Sequence, residues 1–130
     1  MKILVGYDGS NAAMDAVKLA IIHAKAFDAE LLVVKSMKGG KENSPEEIKT
    51  AEEQLAYIDS FLAEKKIPFK THLLVRGISP GEDIARFAME NFVEEIVIGI
   101  KRRSKVGKLL FGSNAQYIIL NANCPVVTIR

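Results

Sequence analysis

The sequence has little cysteine and no long apolar run. Its single cysteine, Cys124, cannot form an internal disulfide and has no CxxC or histidine partner. We expect it to be a small core or strand-edge residue. No apolar run reaches 18 residues, and Asp8 interrupts the N-terminal segment too early for a signal peptide. These absences predict a cytoplasmic protein that does not enter a membrane.

A strong overall charge is also missing. Lysine and arginine together number 18 and aspartate and glutamate 16, for a net charge of +2. This balance excludes the broad basic surface that binds nucleic acid. The positive charge is instead concentrated in one short segment, which contains Lys101, Arg102, Arg103, Lys105 and Lys108. A cluster of this size favours a small anion as the partner.

The familiar catalytic motifs are absent. The sequence has no GxGxxG, HExxH or GxSxG, and no paired carboxylates at a recognisable spacing. His23 falls inside a predicted helix and His72 inside a predicted strand, where a lone histidine is usually structural. We therefore assign no general base, no catalytic residue and no metal ligand from the sequence.

Strands and helices are predicted to alternate along the whole chain. Apolar helical patterns follow Ser10, Ser44, Ser79 and Gly112, and a capping box is expected at Ser44, with a similar start at Ser79. Nearly continuous apolar segments predict strands at residues 2–7, 30–36, 69–75, 94–99 and 125–129. This order predicts one α/β domain over residues 1–130, a parallel sheet with helices on both faces.

The segment from Gly99 to the helix after Gly112 is the strongest candidate for a binding site. A glycine ends a strand, five cations follow, and Gly112 and Ser113 stand at a helix start, where free N–H groups attract anions. This pattern is typical of a polyphosphate site in which glycine lets the backbone approach the ligand. A second interpretation is equally open, because Ser113 and Gln116 also fit a capping box that serves only the helix.

The chain resembles the universal stress protein family from end to end. The resemblance rests on the first strand leading into Asp8-Gly9-Ser10, on Gly99 after the fourth strand, on Gly112-Ser113, and on the closing CPVVTI at residues 124–129. It implies a flavodoxin-like five-stranded parallel sheet in the order 3-2-1-4-5. It also implies a regulatory module of the stress response that binds ATP, or AMP or ADP. Whether Mg²⁺ binds together with the nucleotide is left open by the resemblance.

The nucleotide-binding branch of that family carries G-x-x-G, nine residues, then G-S/T. Gly99 and Gly112-Ser113 match this motif, but Arg102 replaces its second glycine. An arginine fills the space beside a phosphate, yet it is also a strong phosphate partner. By the resemblance, Gly6 and Tyr7 would contact the adenine, Asp8 the ribose or the adenine, and Ser36 would form part of the adenine pocket wall. The residues that would bind the ribose and phosphates are Gly99, Gly112, Ser113 and Asn114. We add Arg102 and Arg103 as phosphate-binding candidates.

Two functions stay open at this point. The first is a nucleotide-binding regulatory module acting as a homodimer. The second is a nucleotide-free dimeric interaction protein of the same fold with a vestigial site. Slow ATP hydrolysis has less support, because no residue is placed to position a water. In either case an apolar edge strand at residues 125–129 is expected to pair with a second copy.

Overall fold

The computed structural model describes the backbone of residues 1–100, 102–103 and 109–130, and the side chains of residues 1–100 and 111–130. A 3-10 turn, Gly40–Glu42, lies between β2 and α2. The other elements are β1 Lys2–Gly6, α1 Asn11–Phe27, β2 Glu30–Met37, α2 Pro45–Ala63, β3 Phe69–Val75, α3 Pro80–Glu90, β4 Glu95–Gly99, β5 Arg102–Arg103, β6 Leu109–Leu110, α4 Ser113–Asn121 and β7 Val126–Ile129.

The main sheet has five parallel strands in the order β3-β2-β1-β4-β7. This confirms the predicted fold and strand order. The central strand β1 is covered on both faces, because its residues Ile3, Leu4 and Val5 are all 0% exposed. A strand buried on both faces needs a continuous apolar sequence, and the strands next to β1 show the same pattern.

Each face of the sheet has its own core. Helices α1 and α2 cover one face, where Val17 and Ile58 pack against Ile3 and Val5 of β1. Helices α3 and α4 cover the other face, where Phe87 and Ile118 pack with a second set of strand residues. Alternate side chains of one strand thus enter different cores. Because α1, α2 and α3 each follow a strand of the parallel sheet, they begin near its carboxyl edge.

Two helix starts predicted from the same pattern differ in the structure. The capping box at Ser44 is confirmed: its Oγ accepts from the Glu47 N–H at 3.1 Å, and Glu47 Oε1 accepts from the Ser44 N–H at 3.2 Å. The helix start predicted at Ser79 is confirmed, with Ser79 as the N-cap and Pro80 in the first turn, but the Ser79 side chain makes no capping hydrogen bond. The Gly81 N–H in the first turn of α3 instead donates to Asn114 Oδ1 of α4 at 2.8 Å.

The two histidines and the cysteine have structural surroundings. His23 Nδ1 lies 2.6 Å from Glu95 Oε1, and the ring of His72 lies 5.3 Å from that of Phe87. Cys124 is half-buried, and burial, with a smaller effect of Glu95, raises the pKa of its thiol. The thiol therefore stays protonated near pH 7 and is a poor nucleophile.

Among the residues that the structure describes, no helix combines the length and the apolar character needed to span a membrane.

Candidate functional site

A cavity of about 570 Å³ opens at the carboxyl edge of the sheet. It lies beyond the ends of the adjacent strands β1 and β4, and residues near the end of β2 close one side. The starts of α1, α3 and α4 complete its wall. In a parallel sheet, the chain leaves neighbouring strands in opposite directions at such a point, and a crevice for a ligand remains.

The structure brings eight of the ten predicted site residues together around this cavity. They are Gly6, Tyr7, Asp8, Ser36, Gly99, Gly112, Ser113 and Asn114. The other two, Arg102 and Arg103, form β5, which pairs antiparallel with Leu109–Leu110 in β6. Their side chains lie outside the described part of the chain, as do Lys101, Lys105 and Lys108.

The cavity wall also contains residues that the sequence did not indicate. Most are apolar, and those from α3 were missed because no ligand motif marks its start. The sequence could have indicated these α3 residues only through the expectation that α3 covers the same face of the sheet as α4. The additional residues are Ser10, Ala13, Lys35, Pro80, Ile84, Ile98, Ile100, Phe111, Ala115 and Ile118.

The loop after β1 is held by its own polar groups. Asp8 Oδ1 accepts a hydrogen bond from the Ser10 N–H at 3.0 Å, and Ser10 Oγ accepts from the Ala13 N–H at 3.1 Å. Tyr7 is buried, and burial, with smaller effects of Tyr57 and Asp8, raises the pKa of its hydroxyl. Tyr7 therefore remains neutral near pH 7 and adds no negative charge to the cavity.

Helix α4 begins without a capping side chain. Gly112 is its N-cap residue, Ser113 is the first helical residue, and the side chain of Gln116 donates to the Phe111 carbonyl at 3.0 Å. The proposed capping box of Ser113 and Gln116 is therefore wrong. The first turn of α4 presents N–H groups at the cavity wall, and the N-cap residue supplies no side-chain acceptor for them. A helix start of this kind favours an anion.

Glycine occupies the two motif positions, 99 and 112, for different physical reasons. A Cβ at Gly99 would lie 2.2 Å from the Ala12 carbonyl oxygen, so this glycine lets α1 pack against β4. The packing of α1 therefore explains the glycine at position 99 without the expected approach of a ligand to its backbone. A Cβ at Gly112 would have no atom of the described residues within 4 Å, and Gly112 has an ordinary φ of −65°. Packing within the described chain does not require glycine there.

A buried polar chain connects the cavity wall to the surface of α3. The Ser36 hydroxyl donates to Asp83 Oδ2 at 2.7 Å, and Asp83 is 0% exposed. Arg76 donates to Asp83 Oδ1 at 2.6 Å and to Glu90 Oε1 at 2.8 Å. The Glu90 hydrogen bond raises the pKa of Arg76 most, burial opposes it, and Asp83 raises it further. Sequence analysis identified Ser36 but missed Asp83, Arg76 and Glu90, which lie far from Ser36 in the chain.

The described residues contain no group of three or more histidine, cysteine, aspartate or glutamate side chains that could hold a metal ion. None of the residues around the cavity is assigned to a metal.

Comparison with known proteins gives the family. Residues 1–130 match the model of the universal stress protein family. A universal stress protein of Thermus aquaticus is 32% identical over 134 residues, which cover 98% of this chain and 97% of the relative. The chain belongs to the universal stress protein family.

Two solved structures of Archaeoglobus fulgidus universal stress proteins are similar in sequence and fold. One is 40% identical with a TM-score of 0.91, and covers 100% of this chain and 98% of its own. The other, solved in complex with dAMP, is 36% identical with a TM-score of 0.86 and the same coverage. The similarity therefore includes a protein with an adenine nucleotide bound.

The contrast between the motif glycines predicts different effects on stability. Gly99→Ala should lower the free energy of unfolding by about 1–3 kcal/mol, because its Cβ would collide with the backbone at Ala12. Gly112→Ser is the matched control and should change stability by less than about 0.5 kcal/mol, since serine suits an N-cap position. Urea denaturation of both variants measures the difference. Equal losses would contradict the separate reasons given for the two glycines.

Proposed function

We propose that this protein is an adenine-nucleotide-binding regulatory module of the stress response that acts as a homodimer. The observation that carries the proposal is the start of α4, where no described residue comes within 4 Å of a Cβ placed on Gly112, at the wall of a nucleotide-sized cavity. A nucleotide phosphate would take that space and accept from the N–H groups of Ser113 and Asn114. ATP, ADP and AMP all carry the required group.

The remainder of the cavity suits a base and a sugar. Its wall away from α4 is mainly apolar, with Ile84 and Ile98 available to cover a flat aromatic ring. Asp8 lies in the loop after β1, where a carboxylate can accept from a ribose hydroxyl. The similar Archaeoglobus fulgidus protein, solved with dAMP, supports the same ligand class for this chain.

The second candidate is a nucleotide-free interaction protein of the same fold. Arg102 in place of the second motif glycine favours it, because an arginine side chain could occupy the phosphate site. Purified protein distinguishes the two functions. Heat-denatured extract that absorbs at 260 nm and yields an adenine nucleotide by chromatography supports the first. An extract without nucleotide, together with no heat on titration with AMP or ATP, supports the second.

Gly112→Val should abolish nucleotide binding while the protein stays folded. The branched side chain would enter the space assigned to phosphate, whereas no described residue lies close enough to collide with its Cβ. Calorimetric titration with AMP and ATP measures the loss, and Gly112→Ser serves as a small-side-chain control. Wild-type affinity in a folded Gly112→Val protein would contradict a phosphate site at the start of α4.

Arg102→Ala should weaken ATP more than adenosine, because the proposed contact is with phosphate charge. A charge-assisted hydrogen bond contributes about 1.5–3 kcal/mol, so ATP affinity should fall roughly tenfold or more. Titrations of the variant with both ligands test this, and Arg102→Gly is the informative companion. Tighter ATP binding by Arg102→Gly would mean that the arginine obstructs the phosphate site.

The homodimer is proposed to form through the edge strand β7, at residues 125–129. Ile96 N–H donates to the Pro125 carbonyl and Ile100 N–H to the Ile129 carbonyl, so these alternate residues point toward β4. By the alternation of a parallel ladder, Val127 also pairs with β4, whereas the N–H groups of Val126 and Thr128 point to the free edge. A second β7 can pair there in antiparallel orientation.

Thr128→Pro should therefore shift the protein toward monomer without loss of the fold, because it removes an N–H from the free edge. Val127→Pro is the matched comparison and should destabilise the fold itself, since it removes a bond within the sheet. Sedimentation velocity and thermal unfolding of both variants separate the effects. A wild-type protein that sediments as a monomer at micromolar concentration would contradict the dimer.

A further inference from the structure

The Ser36 hydroxyl has a fixed polarity. It lines the cavity and donates its proton to Asp83 Oδ2 at 2.7 Å. A carboxylate oxygen can only accept, so the serine must be the donor in this pair. The hydroxyl then has only lone pairs to offer a ligand, and it acts toward the cavity as a hydrogen-bond acceptor.

The polarity is enforced from outside the cavity. Arg76 Nε donates to Asp83 Oδ1 at 2.6 Å, and Arg76 Nη2 lies 2.6 Å from the same oxygen, which leaves Oδ2 for Ser36. Glu90 holds the other guanidinium nitrogen of Arg76 at 2.8 Å. Because Asp83 is completely buried, its two oxygens have these fixed partners rather than water.

Ser36 also lies at the end of the cavity that suits the base. It is on β2, and β1 separates β2 from β4, so the serine is about two strand spacings, roughly 10 Å, from the end of β4. The phosphate site proposed at the start of α4 lies beyond β4. A nucleotide with its phosphate at α4 thus extends its base toward Ser36.

We propose that Ser36, oriented by Asp83 and Arg76, selects adenine over hypoxanthine and guanine at this site. The 6-position of adenine carries an amino group that donates, whereas hypoxanthine and guanine carry an oxygen that accepts. An acceptor at Ser36 pairs with the first and opposes the second. Ser36 is the specificity-determining residue, and Asp83 and Arg76 are positioning residues. This inference rests on the proposed nucleotide site.

Asp83→Asn gives a directional test. Arg76 requires an acceptor, so the amide oxygen should face Arg76 and the amide NH₂ should face Ser36. Ser36 would then accept from Asn and turn its own proton into the cavity, where it suits the oxygen of hypoxanthine. A purely structural role of Asp83 would weaken all nucleotides alike and would leave the ratio between bases unchanged.

The experiment measures calorimetric affinities for AMP against IMP and for ATP against ITP. We expect wild-type protein to favour the adenine nucleotide about tenfold or more, Ser36→Ala to reduce the preference to within about threefold, and Asp83→Asn to remove or reverse it. Glu82→Gln on the same helix is the control and should keep the wild-type ratio, because Glu82 pairs with Arg86 and is not bonded to Ser36, Asp83 or Arg76. Ser36→Ala keeps the test decisive if Asp83→Asn fails to fold.

The outcomes separate the two proposals. Absence of binding of every nucleotide to wild-type protein would overturn the proposed function, and this inference with it. Binding of AMP or ATP with an equal affinity for the inosine nucleotide would overturn this inference alone. The same conclusion follows if Ser36→Ala and a folded Asp83→Asn both keep the wild-type ratio.

Discussion

The contact between Gly99 and the backbone of Ala12 is the constraint on which the cavity depends. Helix α1 follows β1 but lies against the end of β4, and it can do so only because Gly99 has no side chain. This contact fixes the start of α1, and with it the loop of Asp8 and Ser10, beside the end of β4. The parts of the cavity wall that come from α1 and β4 are thus set by a steric fit.

A second junction fixes the opposite wall. The N–H of Gly81 donates to the side chain of Asn114, and a Cβ at Gly81 would lie 2.7 Å from the Asn114 carbonyl oxygen. Helices α3 and α4 therefore begin in close contact, and one helix supplies the cap of the other. Asp83, one turn into α3, is held by this arrangement within reach of Ser36 on β2. The contact between the starts of α3 and α4 thus positions both the cavity wall and the buried polar chain.

The sequence predicted what local pattern and alternation determine. Continuous apolar segments predicted the parallel sheet, and the motif positions predicted eight residues that meet at one cavity. It did not predict interactions between residues far apart in the chain. Asn114 as the cap of α3, and Arg76 and Asp83 behind Ser36, depend on how two helices pack, which no short pattern encodes. The local capping pattern at Ser113 failed because Gly112 takes the N-cap position and Gln116 bonds to Phe111 instead.

The contrast between Gly99 and Gly112 has an evolutionary consequence. Selection for folding alone would keep glycine at position 99, because any larger residue there moves α1. The same selection would leave position 112 free to drift, since the described chain has room for a side chain there. In a lineage that ceased to use the cavity, position 112 would therefore diverge sooner than position 99. The residue at position 112 therefore indicates whether the pocket is still in use, whereas glycine at position 99 indicates only that the fold is kept.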